Sequence, residues 1–181
     1  MKILGVSGSP RRGGNSDTAA KRALEELGRL GQTDFIRIHD HHIKHCLGCR
    51  ECMKILRCVI DDDDFERVFQ EWQAADVLIL SVPVYWLGPP GAMKDFIDRS
   101  HGVFARETGP FVGKKAAVIS VAADSGFETH EAMISTWLGH YGAEVVGTLR
   151  LLAREKDDLV NSASALQRLD DFIRGVRAKL E

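Results

Sequence analysis

The first residues of the chain constrain its fold more than any other stretch. Residues 2–6 form an apolar run that is too short for a helix and predicts a buried strand. Residues 7–14 are mostly small and predict a loop, after which Asn15 or Ser16 is expected to cap a helix. The apolar face of this helix is supplied by Ala19, Ala20, Ala23, Leu24 and Leu27. In open α/β sheets, the loop of such a strand–loop–helix unit binds anions, because free amides and the helix dipole converge there.

The residues of this loop narrow the class of anion. Gly8 and Gly13 have the spacing of a triphosphate-binding loop, but Gly14 and Asn15 stand where that motif needs lysine and a hydroxyl. The dinucleotide pattern of three glycines is also broken after Gly8. The remaining polar set suits one terminal phosphate and comprises Ser7, Ser9, Asn15 and Ser16, with Arg11 and Arg12 nearby. An ordinary strand-to-helix turn is the alternative interpretation.

Composition predicts one globular domain, residues 1–181, because 44% of the residues are hydrophobic and 28% are charged. The net charge of −2 argues against a nucleic-acid partner, whose binding would need an excess of Lys and Arg. The N-terminal apolar run ends too early for a signal peptide, and no stretch reaches membrane-spanning length. We therefore expect a cytoplasmic protein with no membrane association.

The rest of the chain alternates between apolar strand patterns and amphipathic helix patterns. Further strands are predicted at residues 34–38, 76–82, 115–121 and 144–152. The aspartates at 61–64 precede a helix and favour a role at its N-terminus, with carboxylate metal binding as the alternative. Five strands alternating with helices predict an α/β fold with a doubly wound parallel sheet and helices on both faces. Such sheets bind ligands beyond the carboxyl ends of their strands, where loops 7–16, 83–88 and 122–126 should meet.

The loop at residues 83–88 adds two aromatic side chains to this edge of the sheet. Tyr85 and Trp86 follow the most apolar strand and could lie against a planar ring. A phosphate joined to a flat aromatic system, as in FMN, fits both loops. The alternative for the two aromatic residues is packing or a subunit contact.

These segments resemble the NADPH-dependent FMN reductase family of flavodoxin-like proteins. The resemblance covers essentially the whole chain and rests on GVSGSPRRGGNSD, on SVPVYWLGPPGAMKDFIDR and on the strand spacing. It implies a flavodoxin-like fold and FMN as cofactor, with the phosphate held near Ser9, Pro10, Arg11, Asn15 and Ser16. It also implies that the isoalloxazine ring is bordered by Pro83, Val84, Tyr85, Trp86 and Gly88. Members of this family are commonly homodimers or homotetramers.

A second motif lies in a cysteine-rich segment, residues 39–60. Its four cysteines, Cys46, Cys49, Cys52 and Cys58, have the spacing C-x2-C-x2-C-x5-C. A 4Fe-4S cluster needs one thiolate per iron, and two-residue spacers let one loop reach three corners. The spacing is similar to that of the iron-sulfur flavoproteins, although it differs from the bacterial ferredoxin motif. Zinc, unligated thiols and a disulfide between neighbouring cysteines remain open.

The combined prediction is an FMN-dependent oxidoreductase that transfers electrons through FMN and a 4Fe-4S cluster. The cofactors supply the chemistry, so no catalytic acid, base or nucleophile is assigned. The electron partner would be a ferredoxin-like protein or, in an FMN or quinone reductase without a cluster, NAD(P)H and a small acceptor. A zinc-stabilised, non-redox interaction module is another alternative. A phosphoryl-transfer protein would need a lysine or a nucleophilic cysteine in the first loop, which has neither.

Overall fold

The computed structural model describes all 181 residues and contains one five-stranded parallel sheet. Its strands are β1 (Lys2–Ser7), β2 (Gln32–Arg37), β3 (Val77–Pro83), β4 (Lys115–Ala122) and β5 (Glu144–Leu152). The spatial order is β2-β1-β3-β4-β5, which is the order of flavodoxin-like sheets. The prediction of a doubly wound parallel sheet is therefore confirmed.

Of the six α-helices, one lies within the cysteine-rich segment and the others flank the strands. The six are α1 (Asn15–Leu27), α2 (Cys52–Ile55), α3 (Phe65–Ala74), α4 (Gly91–Arg99), α5 (Phe127–His140) and α6 (Ala163–Leu180). Short 3-10 helices cover Ile38–Asp40 and Ser100–Val103.

The sheet has a separate hydrophobic core on each face. One core packs buried side chains of α3, α4 and α5 against Leu78 and Leu80, while the other packs α1 and α6 against Val77 and Ile79. Alternate residues of β3 thus point to opposite cores, and all of β3 before Pro83 is buried. This explains why β3 is apolar at every position rather than alternating.

The strand order changes direction beside β1, and this change positions the candidate site. β1 pairs in parallel with β2 on one side and with β3 on the other. The connections after β1 and β3 therefore leave the sheet in opposite directions and open a crevice between them. Loops 7–16 and 83–88 border this crevice.

Several boundaries differ from those that the sequence indicates. Helix α1 is capped by Gly14 in an extended conformation, and no side chain accepts a capping hydrogen bond. The prediction of an Asn15 or Ser16 cap is therefore wrong, because both residues already belong to the helix. Leu159 is buried as expected, but it precedes α6, which begins at Ala163 with Ser162 as its cap. No helix is both long and apolar enough to cross a membrane.

Candidate functional site

The loop between β1 and α1, residues 7–16, is organised by a buried carboxylate, Asp17. This carboxylate accepts hydrogen bonds from the hydroxyl of Ser7 (2.5 Å), the amide of Gly13 (2.7 Å) and the Nε of Arg37 (2.8 Å). Both members of the Asp17–Arg37 pair are buried. One side chain on α1 thus holds both ends of the loop against the end of β2, which the sequence did not indicate.

Arg37 extends the same network to the middle of the loop. Its Nη2 donates to the carbonyl of Ser9 (3.1 Å), and its Nη1 donates to Asp40. Asp40 in turn pairs with Arg12 (2.6 Å) on the outside of the loop. The backbone of the loop is therefore fixed before any ligand binds, which lowers the entropic cost of binding an anion.

Loops 7–16 and 83–88 meet at a cavity of about 90 Å³, here called the crevice cavity. Among the predicted FMN-binding residues, those that line it are Ser9, Arg11, Asn15, Ser16, Pro83, Val84 and Tyr85. Pro10, Trp86 and Gly88 do not line it. Ala123 of loop 122–126 also borders the cavity, so all three loops meet as the sheet rule predicts. The FMN-binding roles of these residues remain predictions.

Trp86 lies in a tight turn and does not line the crevice cavity. Tyr85 and Gly88 exchange two backbone hydrogen bonds of 2.7 and 3.0 Å, and Trp86 and Leu87 between them have φ angles of 47° and 67°. Large residues rarely adopt this left-handed conformation, which costs about 1–2 kcal/mol per residue. The Trp86 side chain is 101% exposed. Its predicted contact with a flavin ring therefore needs a ligand that extends beyond the cavity.

A fourth segment, directly after β5, closes the crevice cavity and was missed in the sequence. Ala153 and Arg154 line the cavity, and the carbonyl of Arg154 accepts a hydrogen bond from Arg11 (2.7 Å). The side-chain amide of Asn15 also binds the chain after β5. Its Nδ2 donates to the Glu155 carbonyl (2.7 Å), and its Oδ1 accepts from the backbone amide of Leu159 (3.0 Å). The sequence feature that could have indicated this segment is the position of Arg154 just beyond the carboxyl end of a strand.

All four cysteines line a second cavity of about 60 Å³, here called the cysteine cavity. All are free thiols; Cys46 and Cys49 are exposed, whereas Cys52 and Cys58 are partly buried. Burial raises the pKa of Cys52, and the proximity of Cys49, Cys58 and Cys46 raises it further. The four cysteines, which are spread over the segment, thus line one cavity together with Arg99, His101 and Gly102.

The arrangement of these thiols does not form a site for a single metal ion. No three His, Cys, Asp or Glu side chains anywhere in the chain lie close enough together to hold one ion. Four free thiols around one cavity nevertheless match a 4Fe-4S cluster in number and chemistry. A cluster binds each thiolate at a different iron, so its ligands are farther apart than those of one ion.

The aspartates before α3 anchor the cysteine-rich segment as well as the helix. Asp63 accepts from the amide of Phe65 (3.1 Å), as expected for a helix start, but also from the amide of Lys44 (2.8 Å). Burial raises the pKa of Asp63, but Arg99 and these two amides outweigh burial, so the net pKa is lowered. Asp64 accepts from the amide of His42 (2.8 Å). The predicted role at the helix N-terminus is therefore accompanied by a tertiary one.

Comparison with known proteins identifies a family and two informative relatives. The family model described as NADPH-dependent FMN reductase matches residues 1–157. An iron-sulfur flavoprotein of Methanosarcina thermophila is 35% identical over 150 residues, covering 81% of this chain and 78% of that protein. A putative NAD(P)H-dependent FMN-containing oxidoreductase of Bacillus subtilis is 34% identical over 101 residues, covering 55% of this chain and 51% of that protein.

Solved structures support the fold assignment. The apo form of an NADH:FMN oxidoreductase superposes with a TM-score of 0.72 at 17% identity, covering 98% of this chain and 89% of that chain. At this identity, the likeness concerns the fold alone.

Proposed function

Because this chain belongs to the NADPH-dependent FMN reductase family and is a flavin-dependent oxidoreductase, we propose that it carries both FMN and a 4Fe-4S cluster. The FMN would bind at the crevice cavity and extend beyond it, and the cluster would lie in the cysteine cavity. The observation that carries the proposal is the convergence of all four cysteines on one cavity. The similarity to an iron-sulfur flavoprotein supports it independently.

The residues of the crevice cavity suit the two ends of FMN. Ser9 and Ser16 offer hydroxyl groups beside the N-terminus of α1, where the helix dipole favours a phosphate. Arg11 and Arg154 also line the cavity and add positive charge to it. Pro83, Val84 and Tyr85 provide an apolar and aromatic edge for the ring system. The chain would therefore bind and orient the flavin, which supplies the hydride and electron chemistry.

Cys46, Cys49, Cys52 and Cys58 would hold the cluster, which supplies one-electron transfer when bound. The segment is already docked to α3 and α4 through Asp63 and Arg99, so its thiols need little reorganisation. Partial burial of Cys52 and Cys58 limits the access of water to one side of the cavity. A ferredoxin-like protein is the proposed electron partner, since a one-electron carrier would match the cluster.

An FMN or quinone reductase without a cluster is the second candidate function. The similarity to a putative NAD(P)H-dependent FMN-containing oxidoreductase favours it. In that case NAD(P)H would supply the electrons, and the cysteines would remain unligated. The zinc-stabilised module is the third candidate, but it does not use the crevice cavity.

Purification under anaerobic conditions tests these candidates directly. We would record an absorbance spectrum and assay iron, sulfide, zinc and extracted flavin in the same sample. Flavin bands with about four irons and four sulfides per chain would support the two-cofactor protein. Flavin without iron would favour the plain reductase, and zinc without flavin would favour the structural module.

Substitution of one thiol tests the cluster ligands. Cys49→Ser should lower iron content while flavin remains bound, because Cys49 lies outside the crevice cavity. Met53→Leu is the control, since Met53 lies in the same segment and offers no thiol. Equal iron in both variants would remove Cys49 from the ligand set.

We also propose a homodimer or homotetramer. The fully exposed Trp86 and the neighbouring exposed Leu87 form an apolar surface that subunit contact would cover. Light scattering of the purified protein would give the number of subunits. Trp86→Ser should shift the assembly toward the monomer, and an unchanged mass would argue against this contact.

A further inference from the structure

Arg99, the last residue of α4, is completely enclosed. Its side chain has no exposed surface, and the guanidinium lies 4.8 Å from the centroid of the Phe65 ring. A buried arginine is exceptional and normally needs a partner for its charge. Asp63, whose side chain is 1% exposed, supplies that partner, with 2.5 Å between Nη1 and Oδ2.

The remaining hydrogen bonds of Arg99 all go to the cysteine-rich segment. Nη1 donates to the carbonyl of Lys44 (3.0 Å), and Nη2 donates to the carbonyl of Ile60 (2.9 Å). Lys44 precedes the first cysteine and Ile60 follows the last. One guanidinium therefore joins the two ends of the loop that carries all four thiols.

Arg99 also makes a hydrogen bond to one of the four thiols. Arg99 Nε donates to Cys58 Sγ over 3.0 Å. No other cysteine sulfur accepts a hydrogen bond from a charged side chain. Cys58 is therefore distinct from Cys46, Cys49 and Cys52 in the electrostatic environment of its sulfur.

We propose that Arg99 is a positioning residue for the metal cluster: it closes the cysteine loop and makes the cluster easier to reduce through its hydrogen bond to Cys58. This inference rests on the proposed function, because it requires a cluster at these four thiols. Hydrogen bonds to the sulfurs, the net local charge and solvent exposure set the potential of an iron-sulfur cluster. A buried cation at one sulfur stabilises the state that has gained an electron.

The shape of the arginine side chain is essential to both roles. Its planar fork presents donors in several fixed directions, whereas lysine has one nitrogen on a flexible stem. A lysine at position 99 can keep the charge pair with Asp63, but it cannot also reach Lys44, Ile60 and Cys58. We call the two bonds from Arg99 to the carbonyls of Lys44 and Ile60 the clamp. Arg99→Lys thus removes the clamp and the contact with the sulfur but keeps the positive charge.

The experiment compares Arg99→Lys with the wild type after anaerobic purification. The midpoint potential of the cluster would be measured by titration with dithionite and followed by electron paramagnetic resonance. We expect a more negative midpoint in Arg99→Lys, faster loss of iron to a chelator and unchanged flavin content. An identical midpoint and an identical rate of iron loss would overturn the proposal.

Arg106→Lys is the matched control. Arg106 also donates to the cysteine-rich segment, from Nε to the carbonyl of Leu56 (2.9 Å), but it donates no hydrogen bond to a thiol. The midpoint potential should remain that of the wild type in this variant. An equal negative shift in both variants would mean that the effect does not depend on the Cys58 contact.

A second measurement separates this inference from the proposed function. If the wild type contains no iron, the proposed function fails, and the clamp is then tested by trypsin cleavage at Lys54 and Arg57 in the iron-free protein. Faster cleavage in Arg99→Lys than in the wild type would retain the clamp, and equal rates would remove it. If Arg99→Lys does not fold, the neutral double variant Arg99→Gln with Asp63→Asn replaces it in both measurements, with the same expected outcomes.

Discussion

At the scale of single residues, Asp17 controls the conformation of the predicted phosphate loop. We expect Asp17→Asn to lower the free energy of unfolding by about 1–3 kcal/mol, because the buried Arg37 would keep only the partly exposed Asp40 as a carboxylate partner. FMN affinity should fall about tenfold, equivalent to about 1.4 kcal/mol, as the loop loses its anchor. Urea unfolding and flavin fluorescence titration would measure the two effects.

Asp170→Asn provides the comparison for Asp17. Asp170 pairs with Arg22 at 2.5 Å, but both side chains are partly exposed and lie outside the crevice cavity. Loss of such a surface pair should cost about 0–1 kcal/mol and leave FMN binding unchanged. Equal losses of FMN affinity in both variants would contradict a specific role for Asp17.

His130 makes stability depend on pH. The residue is completely buried on α5, and neither ring nitrogen has a hydrogen-bond partner. Burial lowers its pKa, although the nearby backbone of Gly88, the charge of Glu131 and the backbone of Val82 oppose part of the shift. Below the unfolded-state pKa of about 6.5 the unfolded chain binds a proton that the folded chain does not, so stability falls as pH falls.

The measurement is the free energy of unfolding between pH 7.5 and pH 5. The wild type should be most stable above about pH 6.5, and His130→Gln should reduce the slope below it by about 1.4 kcal/mol per pH unit. Some slope should remain, because burial and then Arg37 lower the pKa of His39 as well. His140→Gln, at an exposed position, is the control, and a slope equal to that of His130→Gln would argue against this assignment.

At the scale of elements, the cysteine-rich segment packs directly against the 3-10 helix at Ser100–Val103. A Cβ on Gly102 would lie 2.6 Å from the backbone nitrogen of Cys58, which cannot move aside as a flexible side chain could. Gly102→Ala should therefore displace the segment, reduce stability by about 1–3 kcal/mol and lower iron content. Flavin content should not change, since Gly102 lies outside the crevice cavity.

Gly139→Ala is the matched substitution at a helical position with free space. A Cβ at Gly139, near the end of α5, would meet nothing within 4 Å. Alanine should stabilise the helix there by up to about 1 kcal/mol. Thermal unfolding of both variants, together with iron analysis, compares the two sites; equal iron in Gly102→Ala and the wild type would contradict the packing argument.

At the scale of the whole molecule, ligand binding should stabilise the sheet and both of its cores. The crevice cavity joins loops that follow β1, β3, β4 and β5, so unfolding of the sheet destroys it. FMN at about 100 times its dissociation constant should add about 2.7 kcal/mol to the free energy of unfolding. For a chain of this size, the melting temperature should rise by about 5–10 °C.

Riboflavin distinguishes phosphate binding from ring binding in the same assay. It lacks the phosphate that Ser9, Ser16 and Arg11 are proposed to hold, so at equal concentration it should raise the melting temperature less than FMN. Unfolding followed by circular dichroism avoids interference from flavin fluorescence. Equal stabilisation by both ligands would argue against an anion site at the start of α1.

The sequence alone determined the strands, the apolar faces of the helices and the sheet class. The bounds of β5 match the prediction, and β3 was recognisable because a strand between two cores is apolar throughout. The three loops of the crevice cavity also followed from sequence, since the carboxyl ends of parallel strands share one edge. The spacing of the four cysteines predicted that they act together, and they line one cavity.

Only the tertiary structure decided how these loops are held. Arg37 and Arg99 have no sequence signal for burial, because arginine is ordinarily exposed and its partners, Asp17 and Asp63, are distant in sequence. The same holds for Asn15, whose amide binds the backbone of Glu155 and Leu159 at the far end of the chain. Hydrophobic periodicity is a local property that can be recognised from consecutive residues in the sequence. A buried ion pair, by contrast, exists only where folding brings two opposite charges together.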